Sequence, residues 1–175
     1  MIRTKPVALS FVFVCTSTAA LAQAPQQAAA TFHNQQGQEV GRAILTQTAS
    51  GVLIEMELSN VPAGEHGFHI HETGVCDAAD GFKSAGGHFE PARHQHGYMA
   101  ADGPHAGDMP NQFAASDGRL GANVLNSNVT LSDGPTSVLD ADGSAIIVHA
   151  KPDDYASQPT GDAGDRIACA LIEKR

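Results

Sequence analysis

Residues 51–59 read GVLIEMELS, with Val52, Ile54, Met56 and Leu58 at every second position and Glu55, Glu57 and Ser59 between the last of them. Side chains two apart on a strand share a face, so the apolar residues line one side and the polar residues the other. That is the pattern of a half-buried strand in an antiparallel sheet. Similar short runs occur at ATFHN (30–34), EVGRAILTQ (39–47), RLGANVLN (119–126), NVTLS (128–132), SAIIVHAK (144–151) and RIACALI (166–172). Turn residues separate them, in NQQGQ (34–38), VPAG (61–64), SDG (116–118) and DADG (140–143). No segment carries a long helical period and no repeat is visible. The expected fold is therefore all-β, an antiparallel barrel or sandwich.

A further run, HGFHIHE (66–72), reads as a strand with an unusual outer face. Phe68 and Ile70 would point to the core, while His69 and His71 project together on the opposite side, where something must cover them. Two irregular segments are available for that: Glu72 to Gly118, rich in Gly, Asp, Pro and His, and Pro152 to Asp165. Loops of such length are usually functional or disordered. The first carries His88, His94, His96, His105 and Asp108. Imidazole suits zinc and copper, and a carboxylate completes a tetrahedral zinc site. Any one of these histidines reads equally well as a polar loop residue. Together with His69, His71 and His149 they point to metal.

The chain has 175 residues, 42% of them hydrophobic, enough for one domain with its own core. Its start, MIRTKPVALSFVFVCTSTAALAQA, has Arg3 and Lys5, an apolar stretch from Val7 to Val14, and small residues up to Ala22 and Ala24. This is the pattern of a signal peptide over residues 1–24, cleaved after Ala24 or Ala22, with a domain over 25–175 and no membrane anchor after cleavage. A lipoprotein reading around Cys15 is weaker, because Val14 is bulky where such sites want a small residue. Export would leave Cys76 and Cys169 in an oxidising compartment, where two cysteines most simply form one disulfide, stabilising by about 4–5 kcal/mol in the chain-entropy account. The net charge of −9 argues against nucleic acid or anionic lipid as a partner.

HGFHIHE, GGHFEP (86–91), the HG at 96–97, HAGD (105–108), VHAKPDD (148–154) and GDAGDRIAC (161–169) resemble, in order and spacing, the copper/zinc superoxide dismutases of the bacterial periplasmic type. The resemblance runs from about Ala30 to Lys174. It implies a Greek-key β-barrel or sandwich whose two long loops cover a metal site outside the barrel. It also implies an enzyme that converts superoxide to oxygen and hydrogen peroxide by copper redox cycling, with zinc organising the site. Copper would be held by His69, His71, His88 and His149, and zinc by His88, His96, His105 and Asp108. His88 would bridge the two and deliver a proton. Asp153 would orient ligands of both metals from outside, and Arg166 would guide the anion, with an ordinary strand-end arginine paired to Asp165 as the blander reading. His94, His66 and His33 match no ligand position: an exposed loop residue, a structural residue and a surface-strand residue, respectively. Lys83 and Lys151 read as solvated. Glu90 stands where the animal enzymes have Asn, which touches only a local hydrogen bond. The second loop is shorter than theirs, so their steering residues do not carry over. The rival reading is a non-catalytic periplasmic copper/zinc-binding protein on the same fold. A zinc hydrolase is weaker, since four residues fill the zinc. Monomer and homodimer both stay open.

Overall fold

The computed structural model describes residues 25–175. The expected leader, with its cleavage point and Cys15, lies outside the described residues. Alternation decides how the strands face. Val52, Ile54, Met56 and Leu58 are all buried, as are Phe32, Leu45, Phe68 and Ile70 on neighbouring strands. Their burial on one shared side is what holds the sheet together, each such side chain contributing on the order of 1.5–3 kcal/mol.

Eight strands result: β1 (Gln27–Asn34), β2 (Glu39–Thr48), β3 (Gly51–Leu58), β4 (Gly64–His71), β5 (Asp108–Ala114), β6 (Leu120–Asn126), β7 (Ala145–His149) and β8 (Arg166–Lys174). They form one antiparallel sheet in the order β5-β4-β7-β8-β1-β2-β3-β6. The end strands β5 and β6 meet, so the sheet rolls into a barrel-like shape with the apolar faces inside. Among the described residues no helix is long and apolar enough to cross a membrane.

β7 is buried along its whole length, which a barrel strand with one wet face would not be. The cause is the segment after β4. Two short 3-10 turns, Ala78–Asp80 and Lys83–Ala85, lay Phe82 and Ala85 over Ala145, Ile147 and Cys169, with Cys76 and Ala78 packed alongside. This second small core sits on the outside of the sheet. Cys76 and Cys169 are disulfide-bonded within it, Cα to Cα 5.7 Å, as the cysteine count implied. The bond fastens the loop after β4 to β8.

Two expectations need correction. NVTLS makes no strand, only an isolated bridge between Thr130 and Ser137. Val129 and Leu131 are nevertheless buried in the main core, so the alternation is real but serves a loop that plugs the barrel. Conversely, β5 lies inside the stretch read as loop. Its sequence, DMPNQFA, hides a strand because Pro110 cannot donate to a ladder. Here the proline falls at an irregularity, where Phe68 pairs with Met109 but His66 pairs with Gln112. The rest of the long segment and residues 152–165 are irregular, as expected.

Candidate metal centre

β4 delivers His69 and His71 to the outer face because Phe68 and Ile70 take the inner one, all four being fully buried. His88, on the covering loop, forms an isolated bridge with His71, and His149 ends β7 beside β8. Each of the four rings is oriented through one nitrogen. His71 Nδ1 donates to Gly86 O (3.1 Å) and His149 Nδ1 to Gly164 O (3.2 Å). His69 Nε2 donates to Asp153 Oδ2 and His88 Nδ1 to Asp108 Oδ1, both at 2.7 Å. The other nitrogens, His69 Nδ1, His71 Nε2, His88 Nε2 and His149 Nε2, are buried without a hydrogen-bond partner. Each of the four residues brings one ring nitrogen within 4.8 Å of the others. Orphaned buried polar atoms are costly and rare, and four that converge fit a metal ion bound by imidazole.

A second group, His88, His96, His105 and Asp108, brings its ligand atoms within the same 4.8 Å span. Asp108, at the start of β5, organises it. Its Oδ2 accepts from the backbone N–H of Gly97 (2.8 Å) and of His105 (2.9 Å). Its Oδ1 faces His88 Nδ1 (2.7 Å), and His96 Nδ1 lies 3.0 Å from both oxygens. One oxygen thus ties down the loop as well, while both meet the imidazoles. Three imidazoles and one carboxylate, with no thiolate, are a donor set that zinc accepts. His88 belongs to both groups, with Nε2 in one and Nδ1 in the other.

Asp153 connects the groups from outside. Its Oδ2 holds His69 and its Oδ1 holds His96 Nε2 at 3.0 Å. It is itself gripped by Asn111, whose side chain donates to the Asp153 carbonyl (2.9 Å) and accepts from its N–H (2.8 Å). Gly161, at φ +70°, passes so close that a Cβ there would run into Asp153 Oδ1 and His96 Nε2. Only glycine fits that position without moving the carboxylate.

The field inside the centre is divided. Burial pushes the His88 pKa down to about 4, although Asp108 opposes it, and burial together with His69 takes His149 down to about 3. Burial and His88 also hold His71 well below its ordinary value. His96 goes the other way. Burial lowers it, but the hydrogen bonds from Asp108 and Asp153 prevail and raise it to about 9. For Asp108 and Asp153, burial is outweighed by the imidazole donors, which keep both well below the usual carboxylate range.

Arg166, half-buried at the start of β8, donates Nη1 to Phe82 O and Nη2 to Gly86 O, both at 2.6 Å. It makes no ion pair with Asp165 among the described residues. The Gly86 carbonyl therefore serves Arg166 and His71 together. The uninvolved histidines fall where the sequence placed them. His66 is buried between His149 O and Pro62 O, each 2.7 Å from a ring nitrogen, while His33 and His94 are exposed, as are Lys83 and Lys151. Sequence reasoning missed Asn111, whose only signal is its place three residues after Asp108. It also missed the role of Phe82, whose backbone oxygen carries no sequence signal.

A family model described as copper/zinc superoxide dismutase matches residues 39–172. "Superoxide dismutase [Cu-Zn] 1" of Aquifex aeolicus is 50% identical over 142 residues, 80% of this chain and 83% of that protein. "Superoxide dismutase [Cu-Zn]" of Caulobacter vibrioides is 44% identical over 140 residues, covering 78% and 80% respectively. Among solved structures, a SOD-like protein from Bacillus subtilis is 35% identical with a TM-score of 0.78, over 82% of this chain and 96% of that one. With the eight-stranded barrel and two histidine groups sharing one residue, these likenesses establish that the chain belongs to the copper/zinc superoxide dismutase family.

Proposed function

We infer that the protein disproportionates superoxide: two superoxide anions and two protons give one molecule of oxygen and one of hydrogen peroxide. The observation that carries this reading is the set of four buried ring nitrogens without partners, joined through His88 to a second four-residue group. His69, His71, His88 and His149 would hold copper, and His88, His96, His105 and Asp108 would hold zinc. Copper supplies the one-electron redox change that this reaction needs, and zinc supplies none. The chain's own residues do the rest. His88, with Nε2 in the first group and Nδ1 in the second, is placed to hold a proton at Nε2 and pass it to the departing peroxide. Asp153 keeps His69 and His96 in register. Arg166, a planar cation anchored by two carbonyls, attracts the anion and orients it.

A copper-buffering protein on the same fold would need the ligands but not a guiding cation, and Arg166 favours the enzyme over that reading. The leader pattern and the Cys76–Cys169 bond support an exported protein working in the periplasm, with residues 25–175 as the mature domain. Metal content and superoxide consumption measured on one batch test the function. After chelation of both metals, activity returns with copper, and zinc alone restores none. Full activity with zinc alone overturns the assignment.

A further inference from the structure

Glu90 reads in the sequence as a local variation, but its side chain is 8% exposed and does more than cap a turn. The backbone at each end of the segment 90–106 is pinned. Phe89 N–H donates to Ile70 O (2.9 Å), Gly107 N–H to Phe89 O (2.8 Å), and Ile70 N–H to Gly107 O (2.9 Å). Glu90 turns inward from this junction. Its Oε1 accepts from Ala92 N–H (2.6 Å) and its Oε2 from Ala106 N–H (2.8 Å), so one carboxylate joins the first turn of the segment to its last residue. Ala106 follows His105 directly. Its carbonyl is held in turn by Asn126 Nδ2 at 2.9 Å, a buried contact from the end of β6. The turn His105 to Asp108, closed by Asp108 N–H to His105 O (3.1 Å), is thus gripped at Ala106 from both sides.

We propose that Glu90 is a positioning residue for the zinc group: it buckles the loop so that His105 and Asp108 are held against His88 before a metal arrives. The inference rests on the zinc assignment made above. A carboxylate suits the task because each oxygen takes one N–H, whereas an amide has a single acceptor oxygen and would set an NH₂ against the second N–H. Hydrogen bonds to an ionised acceptor are also the stronger ones. With the buckle gone, the loop must be ordered by the metal itself, and that cost appears as weaker binding.

The test compares Glu90→Ala, Glu90→Gln and, as a control on the ligand assignment, His96→Ala. Zinc affinity is measured by competition with a chromophoric chelator, copper affinity in the same way, and the geometry of the group by the visible spectrum of cobalt(II) in place of zinc. Glu90→Ala is expected to bind zinc about 3- to 10-fold more weakly, below the usual range for a partner that touches a ligand directly. It should alter the cobalt spectrum and leave copper affinity within about two-fold. Glu90→Gln, keeping one acceptor, should fall between Ala and the parent. If His96→Ala loses zinc but Glu90→Ala keeps parental affinity and spectrum, the buckle is refuted while the ligand set stands. If His96→Ala keeps zinc, the ligand set itself is wrong. Equal weakening of both metals in Glu90→Ala would mean general destabilisation and would also overturn the proposal.

Discussion

Replacing Arg166 by glutamate slows superoxide decay by about 10- to 1000-fold at low ionic strength and equal copper content, the range that electrostatic steering spans. The chain carries a net charge of −9, so the approach of an anion depends on a local field of the opposite sign. On the function proposed above, Arg166 would supply that field at the centre: two carbonyls anchor its guanidinium, and its charge disfavours protonation of both His71 and His149. Two of its five donors are spent on Phe82 and Gly86, which fixes the plane of the fork and leaves other donors for the substrate. Arg166→Lys keeps the charge without the fork and should cost far less. Salt gives an independent readout, because charges more than about 10 Å apart are screened at 0.1 M. The parent rate should fall as salt rises, and the glutamate variant should lose or reverse that slope. Stopped-flow decay across an ionic-strength series decides it. Identical rates and slopes in both proteins would make Arg166 a structural residue.

Asp153→Ala should leave the barrel folded and weaken zinc by about 10- to 100-fold, the usual consequence of removing a carboxylate that orients metal-bound histidine. Two effects act, in opposite directions. His96 Nε2 and His69 Nε2 lose their shared acceptor, so His69 loses its hydrogen-bond partner and His96 keeps only Asp108. The second effect is protonic and offsets part of the first at neutral pH. In the metal-free protein His96 is raised to about 9, so at neutral pH zinc must displace a proton and binds more tightly as pH rises towards that value. The same shift stabilises the metal-free fold. A folded-state pKa above the unfolded 6.5 gives a contribution fully present below about 6.5 and lost as pH climbs through about 9. Without Asp153 one of the two carboxylates that hold the proton is gone. His96 should then titrate lower, and the pH-dependent rise in zinc affinity should end at lower pH. Competition titrations between pH 6 and 9 check both effects, and unchanged affinity with an unchanged slope would rule out this role for Asp153.

How much was legible in the sequence follows from what each structure-forming signal is made of. β3 announced itself because its own inner positions, Val52, Ile54, Met56 and Leu58, are apolar without a break. β5 did not, since Pro110 and the slipped register between Met109 and Gln112 break the period. The NVTLS run was misread for the opposite reason: two buried apolar residues spaced two apart suffice to mimic a strand. At the centre, the residue types of the two groups and their order are side-chain information, and the residues that come together could be read directly. The parts that aim them are not. Gly86 O, Gly164 O and Phe82 O are backbone atoms, and their positions follow from turns and packing rather than from residue identity.

The meeting of β5 and β6 has one further consequence. Each of these strands is laddered on one side only, β5 to β4 and β6 to β3, so the cylinder has a seam closed by packing rather than by main-chain hydrogen bonds. Exposed Phe113 and Leu125 belong to these two strands. A one-sided ladder is where a cylinder opens first and where a foreign strand can add. β5 begins at Asp108, so whatever grips that carboxylate also grips the seam's first residue. Amide hydrogens along β5 should therefore exchange with solvent faster in the metal-free protein than in the loaded one, and the readiness of the chain to join others edge to edge becomes a function of how well one loop is fastened.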